Sequence, residues 1–400
     1  MSVAATRVSL NAWMDYMTAR VSQDITRISL IAATVLIGAC SRDLVTDPPS
    51  AASSQSVVTN RADGAGASYQ AVYLVADTAG FNAQRIDPNL VNGWGLAITS
   101  NSTLWVASNG PGLAVNYDGR GTQVHAPITI PARESANGGT PSGVVVNNTD
   151  DFRLSDGRPA QLLFASEDGI VSAWNGGPSA VVMARSASSD AVYKGLAIAR
   201  VGDRSLLYAT NFRDSRIDVY DGQFKPVGGA PLKDQPFVDR GTPAIPADYG
   251  PFGITNMHGK LFVTYAKHLP PDNKDDLAGL GNGFVSVFNP DGSFVERFAS
   301  NGALNSPWGV TVSGPKFGRF RNAVIINNFG DGHINAFARR GTFLGQLQGS
   351  DGKPLVVDGI WSVLFPDRDL SSIVNPGVLY FAAGPDDENH GTFGYIQAHP

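Results

Sequence analysis

The sequence predicts an all-β fold, and three observations support this prediction. Short runs rich in β-branched and aromatic residues recur along the chain, and turn signals such as Asp118-Gly119 and Asp291-Gly292 separate them. No stretch of comparable length carries a 3.6-residue apolar period, so amphipathic helices are not expected. The chain contains 45 glycines and 25 prolines, and 42% of its residues are hydrophobic. This composition is typical of a large core connected by many turns.

A leader peptide is predicted before the first of these runs. Arg20 and Arg27 form a basic lead, residues 28–37 form an apolar stretch, and two small residues precede Cys40, the one cysteine of the chain. Residues 37–40, with the sequence Ile-Gly-Ala-Cys, resemble the bacterial lipobox, in which the cysteine sulfur is acylated. We therefore predict a lipoprotein signal peptide over residues 1–39 and lipidation at Cys40. The alternative is a plain secretory signal or a short anchor, with the cysteine incidental.

The next segment, residues 40–68, is predicted to be a flexible tether. Serine, alanine, glycine and proline replace any hydrophobic periodicity there. Ser41 stands where the Gram-negative lipoprotein pattern has an aspartate that retains the protein in the inner membrane. We therefore expect a location in the cell envelope, at the outer membrane or facing the periplasm, with the lipid as the one membrane contact. The long leader leaves Met17 as an alternative start.

One pattern then returns six times. Each return has a glycine or serine followed by aliphatic residues, and the spacings between successive anchors are 48, 52, 58, 56 and 53 residues. The anchors are Gly95, Gly143, Gly195, Gly253, Gly309 and Ser362. A second and a third β-rich run follow each anchor, and a fourth follows in most units, as in the runs from Val124, Ser293 and Thr342. The sixth unit has three runs, whereas residues 69–77 stand alone before the first anchor.

These repeats predict a six-bladed β-propeller over residues 69–400, with the last blade closed by the N-terminal strand of the mature domain. Closure of the ring would leave no strand edge open to other chains. The anchor glycines would let the innermost strands approach closely, while Trp94, Trp308 and Trp361 would bury large apolar areas between blades. We interpret these tryptophans as architectural rather than as a ligand-stacking surface.

Several segments also carry a family resemblance, among them "LNSPWGV", "NNFGDGHINAF" and "AAGPDDENHGTFGYI". With these segments the chain resembles an uncharacterised group of bacterial six-bladed propellers that often carry a PEP-CTERM sorting signal and are distantly similar to NHL-repeat proteins. The resemblance implies the propeller fold and an envelope location, and it brings no established reaction. No PEP-CTERM tail follows the last repeat, so a lipid anchor would replace that sorting signal.

The predicted topology brings many polar side chains to one face. In a propeller blade the first strand begins and the second strand ends on the same side of the disc, so the loops at these points surround one mouth of the central channel. The predicted binding face consists of the acidic, amide, lysine and histidine side chains of these loops. They are Asn109, Glu167, Asp168, Asn211, Asp214, Lys267, His268, Asp275, Asp276, Asn328, Asp331, His333, Asp386, Asp387, Glu388 and His390.

Two interpretations of these polar loops stay open. Asp, Asn and Gly are favoured in tight turns, so each loop taken alone is explained by turn chemistry. Oxygen-rich loops that converge on one point would also suit a divalent cation, with Ca²⁺ the first expectation, in the central channel. The loop over residues 266–283 is long for a compact domain, and we predict a lid or a recognition arm there.

Composition and motifs exclude several classes of function. The net charge is -5 and the chain has no block of Lys or Arg, so nucleic acid is not an expected partner. The sequence has no HExxH, Gly-x-Ser-x-Gly or CxxC motif.

Two functional hypotheses remain. The first is a monomeric binding or scaffold module whose polar mouth takes an envelope glycan, peptide or protein. The second is a metal-dependent lactonase or esterase, in which the cation polarises a carbonyl and a histidine activates water. Its first ligands would be Glu167, Asp168, Asn211, Asn328 and Glu388, and its base would be His268, His333 or His390.

Overall fold

The computed structural model describes residues 68–366 and 374–399. These residues form six sheets, antiparallel except where β2 pairs parallel with β1, and the sheets are arranged as the blades of a β-propeller, which confirms the predicted fold class. The predicted signal peptide, Cys40 and the tether up to residue 67 lie outside the described residues. Among the described residues, no helix is long and apolar enough to cross a membrane.

The first part of the described chain builds an entry strand and two blades. The chain begins with β1 (Ser68–Ala76), a 3-10 turn (Ala79–Phe81) and β2 (Arg85–Ile86). Blade 1 consists of β3 (Gly93–Ile98), β4 (Leu104–Ser108), β5 (Leu113–Tyr117) and β6 (Ile128–Thr129). A hairpin follows, formed by β7 (Pro131–Ala132) and β8 (Ser135–Gly138). Blade 2 consists of β9 (Pro141–Val146), β10 (Leu162–Ser166), β11 (Ile170–Trp174) and β12 (Val181–Arg185).

The remaining four blades follow in chain order. Blade 3 has β13 (Tyr193–Val201), β14 (Arg204–Asn211) and β15 (Arg216–Asp221). Blade 4 has β16 (Tyr249–Met257), β17 (Lys260–Lys267), β18 (Phe284–Phe288) and β19 (Phe294–Ser300). Blade 5 has β20 (Pro307–Val312), a 3-10 turn (Gly318–Phe320), β21 (Val324–Asn328), β22 (Ile334–Phe337) and β23 (Phe343–Gln346). Blade 6 has β24 (Ile360–Leu364), β25 (Leu379–Ala383) and β26 (Thr392–His399), and β1 and β2 complete it.

Strand β1 closes the ring, as the sequence predicts. It pairs antiparallel with β26, from Ser68 opposite His399 to Ala76 opposite Thr392. Val75 on this strand is fully buried. Because β26 begins at the mouth and ends on the opposite face, β1 begins on the face opposite the mouth.

The predicted fourth strands are formed less uniformly than the first three. In blade 1 the run from Val124 is a strand over two residues only, because the side chain of Asn116 replaces part of the ladder. Its Oδ1 accepts from the backbone N–H of His125 at 2.7 Å, and its Nδ2 donates to the carbonyl oxygen of that residue at 3.2 Å. Blade 3 has three strands within the described chain.

The innermost strands meet closely at the anchor glycines, which form a waist around the axis. A Cβ on Gly95 would lie 2.7 Å from the backbone nitrogen of Val144, and a Cβ on Gly253 would lie 2.1 Å from the carbonyl oxygen of Trp308. Both distances are far below van der Waals contact. The predicted structural role of the glycines is therefore confirmed at this level of the axis, and any larger side chain there would force neighbouring blades apart.

Candidate functional site

The residues that precede the anchor glycines and serine lie around the axis on the mouth side of the waist. In chain order these residues are Trp94, Ser142, Lys194, Phe252, Trp308 and Trp361. The indole of Trp361 stacks on Trp94 and on Phe329, with ring centroids 3.8 Å apart in both pairs. Together with Phe212, Phe252 and Trp308 these rings form an aromatic plug in the centre of the propeller. The one charged residue at this level is Lys194.

Lys194 is buried against the plug and is surrounded by carboxylates. Its ammonium lies 4.8 Å from the ring centroid of Trp94, which is within cation–π range. Its Nζ lies 2.8 Å from Oε1 of Glu167 and 3.4 Å from Oδ1 of Asp275. Burial acts to lower the pKa of Lys194, but the charge of Glu167, followed by that of Asp275, outweighs burial and holds this pKa above its usual value.

Glu167 is the ionised partner of this lysine. Burial acts to raise the pKa of its carboxyl, but Lys194 and Lys274 outweigh burial, and the pKa lies below its usual value. Nδ2 of Asn109 donates to the second carboxylate oxygen at 3.1 Å. Both oxygens of Glu167 are therefore engaged, and Asn109, which sequence alone could equally assign to a turn, contacts the site directly.

Glu388 is a second carboxyl in the cluster, and its pKa is shifted in the direction opposite to that of Glu167. Burial raises the pKa of Glu388 to about 7, against opposing contributions from Lys194 and Asn92, while Glu167 adds to the rise. Nδ2 of Asn92 donates to Oε2 of Glu388. Oδ1 of Asn92 accepts from Nε1 of Trp94 at 2.7 Å, so the plug fixes the orientation of this amide.

The loop between β25 and β26 places Glu388 at this position through an unusual backbone. Asp386, Asp387 and Glu388 have φ values of 58°, 50° and 66°, the left-handed region in which residues other than glycine are uncommon. The backbone N–H of Glu388 donates to the carbonyl oxygen of Gly384 at 3.2 Å, and that of Asp386 donates to Oδ2 of Asp358 at 2.9 Å. Consecutive strained residues of this kind concentrate at functional sites.

The long loop predicted over residues 266–283 spans residues 268–283 in the structure, because β17 continues to Lys267, and it contributes the remaining charges of the cluster. It brings Asp275 to Lys194, and Nζ of Lys274 lies 4.0 Å from Oε1 of Glu167. The loop is tied down farther along, where the backbone N–H of Gly279 donates to Oδ1 of Asn305 at 2.7 Å. The loop therefore lies over the cluster as an ordered arm, and we define the mouth cluster as Asn92, Asn109, Glu167, Lys194, Asp275 and Glu388.

Asp276 in this loop and Lys267 at the end of β17 also belonged to the predicted binding face. Burial raises the pKa of Asp276 above its usual value, against a hydrogen-bond contribution from Ser306. Lys267 forms an ion pair with Asp248, with Nζ 3.4 Å from Oδ2. Asp276 is therefore a half-buried neighbour of the mouth cluster, whereas Lys267 is paired away from it.

Several other predicted residues have partners outside the mouth cluster. Oδ2 of Asp168 accepts from the backbone N–H of Arg133, which lies between β7 and β8. Nδ2 of Asn211 donates to Oδ2 of Asp214 at 3.0 Å, and Nδ2 of Asn328 donates to Oδ1 of Asp331 at 3.1 Å. The contacts of the two asparagines are those expected of turn-stabilising side chains.

The three loop histidines are likewise held by separate local partners. Nε2 of His268 lies 2.8 Å from the carbonyl oxygen of Phe212, and this histidine is buried. Nδ1 of His333 lies 3.2 Å from Oδ1 of Asp331. Nδ1 of His390 lies 2.7 Å from Oδ2 of Asp77, and this contact raises the pKa of His390. Asp386 and Asp387 are exposed at the rim.

The residues proposed as cation ligands are thus distributed over several networks. Of the five, Glu167 and Glu388 belong to the mouth cluster. Asn211 and Asn328 are engaged in their own turns, and Asp168 accepts from the backbone of Arg133 in the β7–β8 hairpin. Among the described residues, no group of three or more His, Cys, Asp or Glu side chains is arranged to hold a metal ion. In the mouth cluster, the cation that the carboxylates of Glu167 and Asp275 contact is the ammonium of Lys194.

Sequence reasoning missed two members of the mouth cluster, Lys194 and Asn92. The signal for Lys194 is present in the repeat alignment, because a lysine stands at a position where four of the six units have an aromatic residue. Asn92 lies two residues before Trp94 and resembles an ordinary turn residue. Its role follows only from its contacts with two tryptophans and Glu388.

Comparisons with known proteins place the chain in a family and support the fold. No family model matches the sequence. An uncharacterized protein of Acanthamoeba polyphaga mimivirus is 33% identical over 332 residues, which cover 81% of this chain and 79% of that protein. A second uncharacterized protein of the same virus is 34% identical over 341 residues, which cover 82% of this chain and 86% of that protein.

Two solved structures share the architecture at low sequence identity. An α-L-arabinofuranosidase from Fusarium graminearum has a TM-score of 0.51 at 11% identity, and the match covers 83% of this chain and 98% of that one. A protein of unknown function from Bacteroides thetaiotaomicron has a TM-score of 0.50 at 11% identity, with 83% and 76% covered. These likenesses show the fold alone.

Proposed function

The chain belongs to the same family as the two uncharacterized mimivirus proteins, and from its mouth we propose that it is a binding protein for a polar, hydroxyl-rich ligand of the glycan class. The observation that carries the proposal is the mouth cluster itself. Carboxylates, amides and one buried ammonium converge above the aromatic plug. Arranging them requires a left-handed turn at Glu388 and a long ordered arm.

The donor and acceptor chemistry of the cluster fits hydroxyl groups. A hydroxyl both donates and accepts, so it can bond a carboxylate such as Asp275 and an ammonium or amide in the same position. Asp275, Asp386 and Asp387 are exposed at the mouth, and their charge disfavours anionic ligands. A neutral or cationic polyhydroxyl ligand therefore matches the mouth better than a phosphate or a polyanion.

A binding survey with matched variants tests this proposal. The full-length protein, carrying one fluorescent label, is applied to an array of peptides and of neutral, amino-bearing and acidic glycans. At pH 8, where the carboxyl of Glu388 is ionised, we expect binding to neutral or amino-bearing glycans, and about tenfold weaker binding for Glu388→Gln, which removes a carboxylate acceptor. Glu296→Gln is the control, because it makes the same change at an exposed residue of β19, outside the mouth cluster. Binding confined to peptides or acidic glycans, or equal affinities for both variants, would contradict the proposal.

A second candidate function is hydrolysis, and one specific observation favours it. The pKa of Glu388 is raised to about 7 while that of Glu167 is lowered. Two carboxyl groups held in different protonation states are the usual arrangement for general acid and base roles. The metal-dependent lactonase or esterase expected from sequence is one form of this hypothesis.

Assays of activity and metal content distinguish metal-independent acid–base hydrolysis from the metal-dependent lactonase or esterase. Aryl glycosides, aryl esters and lactones are assayed at several pH values, and the protein is analysed for bound metals. Turnover that falls at least a hundredfold in Glu388→Gln supports an acid–base role. Stoichiometric Ca²⁺ or another metal, with loss of turnover on chelation, supports the metal-dependent form. No turnover in any assay leaves the binding function.

The proposed location is the cell envelope, with lipidation at Cys40. The two relatives are viral, so the link to bacterial PEP-CTERM propellers stays a prediction. Because β1 begins on the face opposite the mouth, the chain enters the propeller from that face. Metabolic labelling of the full chain with palmitate in a bacterial host tests the anchor. Label that persists in Cys40→Ala would refute it.

A further inference from the structure

The face opposite the mouth has a cavity of its own, which we call the funnel. The axis widens below the waist into a volume of about 730 Å³, lined by the later residues of the six innermost strands. This volume lies in the range of about 300–1,000 Å³ typical of small-molecule sites. Trp308 and Gly309 stand at its inner end, so the waist separates the funnel from the mouth cluster.

The wall of the funnel is rich in aliphatic side chains that are not fully covered. Ile98, Val146, Ile198, Val312 and Leu364 line it from five different blades, and each is half-buried. Backbone edges of the innermost strands and small polar residues complete the wall. An aliphatic group placed in the funnel would remove the exposed parts of these side chains from water, which is favourable in proportion to the area covered.

Among the described residues, the charge of the funnel lining is one-sided. The lining residues within 68–366 and 374–399 include no Asp or Glu, whereas they include Arg339 at the outer rim. The guanidinium of Arg339 is exposed, and within the same residues no carboxylate pairs with it. Arg340 beside it is also exposed but does not line the funnel. A permanent positive charge at the rim of a cavity whose wall has both aliphatic and polar parts is complementary to a small amphipathic anion.

We propose that the funnel is a second binding site, which takes a small amphipathic carboxylate. The aliphatic tail lies along the half-buried wall, and the carboxylate pairs with Arg339. A planar guanidinium binds a carboxylate through two parallel hydrogen bonds, so Arg339 fixes the direction in which the ligand enters. This site is independent of the glycan-binding function proposed for the mouth.

Calorimetric titration of the full-length protein with dodecanoate, below its micelle-forming concentration, tests the proposal. We expect one dodecanoate per protein, and no heat of binding with dodecyltrimethylammonium, which has the same tail and the opposite charge. Arg339→Gln should weaken dodecanoate binding about tenfold, through loss of the charged hydrogen bonds. Arg340→Gln is the matched control and should leave the affinity unchanged.

A filling variant locates the ligand within the protein. Thr255 lines the funnel and is half-buried, so Thr255→Trp should abolish dodecanoate binding while circular dichroism shows an intact fold. The proposal is overturned if dodecanoate does not bind, if both arginine variants bind equally, or if the ammonium compound binds as well. Loss of dodecanoate binding in Glu388→Gln would place the ligand at the mouth and would also overturn it.

Discussion

Lys194 is the residue on which the electrostatics of the mouth depend. It is buried, and Glu167 is its nearest carboxylate. Desolvating a lysine and a glutamate is costly, and their mutual attraction must offset that cost. The intact pair therefore contributes little to the free energy of unfolding. Removal of one member alone is strongly destabilising, because it leaves the other charge buried without a partner.

Lys194→Met should destabilise the domain by about 3 kcal/mol, because it leaves the buried carboxylate of Glu167 without its main cation. The double variant Lys194→Met, Glu167→Gln should recover most of this loss. Chemical denaturation of the wild type, both single variants and the double variant measures the coupling. Additive effects of the two substitutions would show that the ion pair is not the cause.

Glu388 should make stability depend on pH in a defined direction. Its pKa in the folded state is about 7, above its ordinary value of 4.5. The folded protein therefore binds more protons than the unfolded chain between these values, and stability falls as pH rises through them. We expect Glu388→Gln to match the wild type near pH 4.5 and to exceed it by about 1–3 kcal/mol at pH 8. Unfolding curves at both pH values check this, with Asp387→Asn as control, and a wild-type advantage at pH 8 would refute it.

At the scale of elements, the loop between β25 and β26 shows how local strain positions a side chain. Three successive residues adopt left-handed backbone there, although none of them is glycine. The hydrogen bonds from Glu388 to Gly384 and from Asp386 to Asp358 hold this turn in place. Contacts with the surrounding blade therefore offset the conformational strain of this left-handed backbone.

Substitutions at the exposed Asp387 should report this strain without touching the mouth cluster. Asp387→Gly removes the strain of a left-handed backbone at a residue with a Cβ, so the free energy of unfolding should be equal or slightly higher. Asp387→Val places a β-branched side chain in the same backbone and should be less stable than the glycine variant by about 2 kcal/mol. Denaturation midpoints of the two variants give the comparison, and equal midpoints would mean that the turn is not strained.

At the scale of the whole molecule, strand β1 determines whether the ring closes. It covers the edge of β26 and buries Tyr69, Leu74 and Val75. Each buried side chain of this size contributes about 1.5–3 kcal/mol. Their sum is comparable with the total stability of many domains, about 5–15 kcal/mol.

A chain that begins at Ala79 should therefore fail to give a stable monomer, whereas a chain that begins at Ser68 should fold. The exposed edge of β26 in the shorter chain would pair with other molecules. Size-exclusion chromatography and thermal unfolding of the two chains test this. A monomeric, cooperatively unfolding chain from Ala79 would contradict the closing role of β1.

The fold was predictable from sequence because its signals are local and repeated. Six anchors at similar spacing define six blades, and the solitary run at residues 69–77 indicates the closing strand. The mouth cluster was predictable only in part. Glu167, Asp275 and Glu388 were among the residues expected at the mouth, but their contacts depend on the path of long loops. Lys194 and Asp275 meet across 81 residues of chain, and no short-range pattern encodes that meeting.

The waist of glycines has a consequence for how the two ends of the axis can change. Because Gly95 and Gly253 bring adjacent backbones into contact, and aromatic rings cover the centre, a solute at one end has no passage to the other. The funnel and the mouth cluster are thus separated by the plug and the waist. A substitution at one of them can alter affinity there while leaving the other unchanged, so one scaffold can acquire two specificities independently.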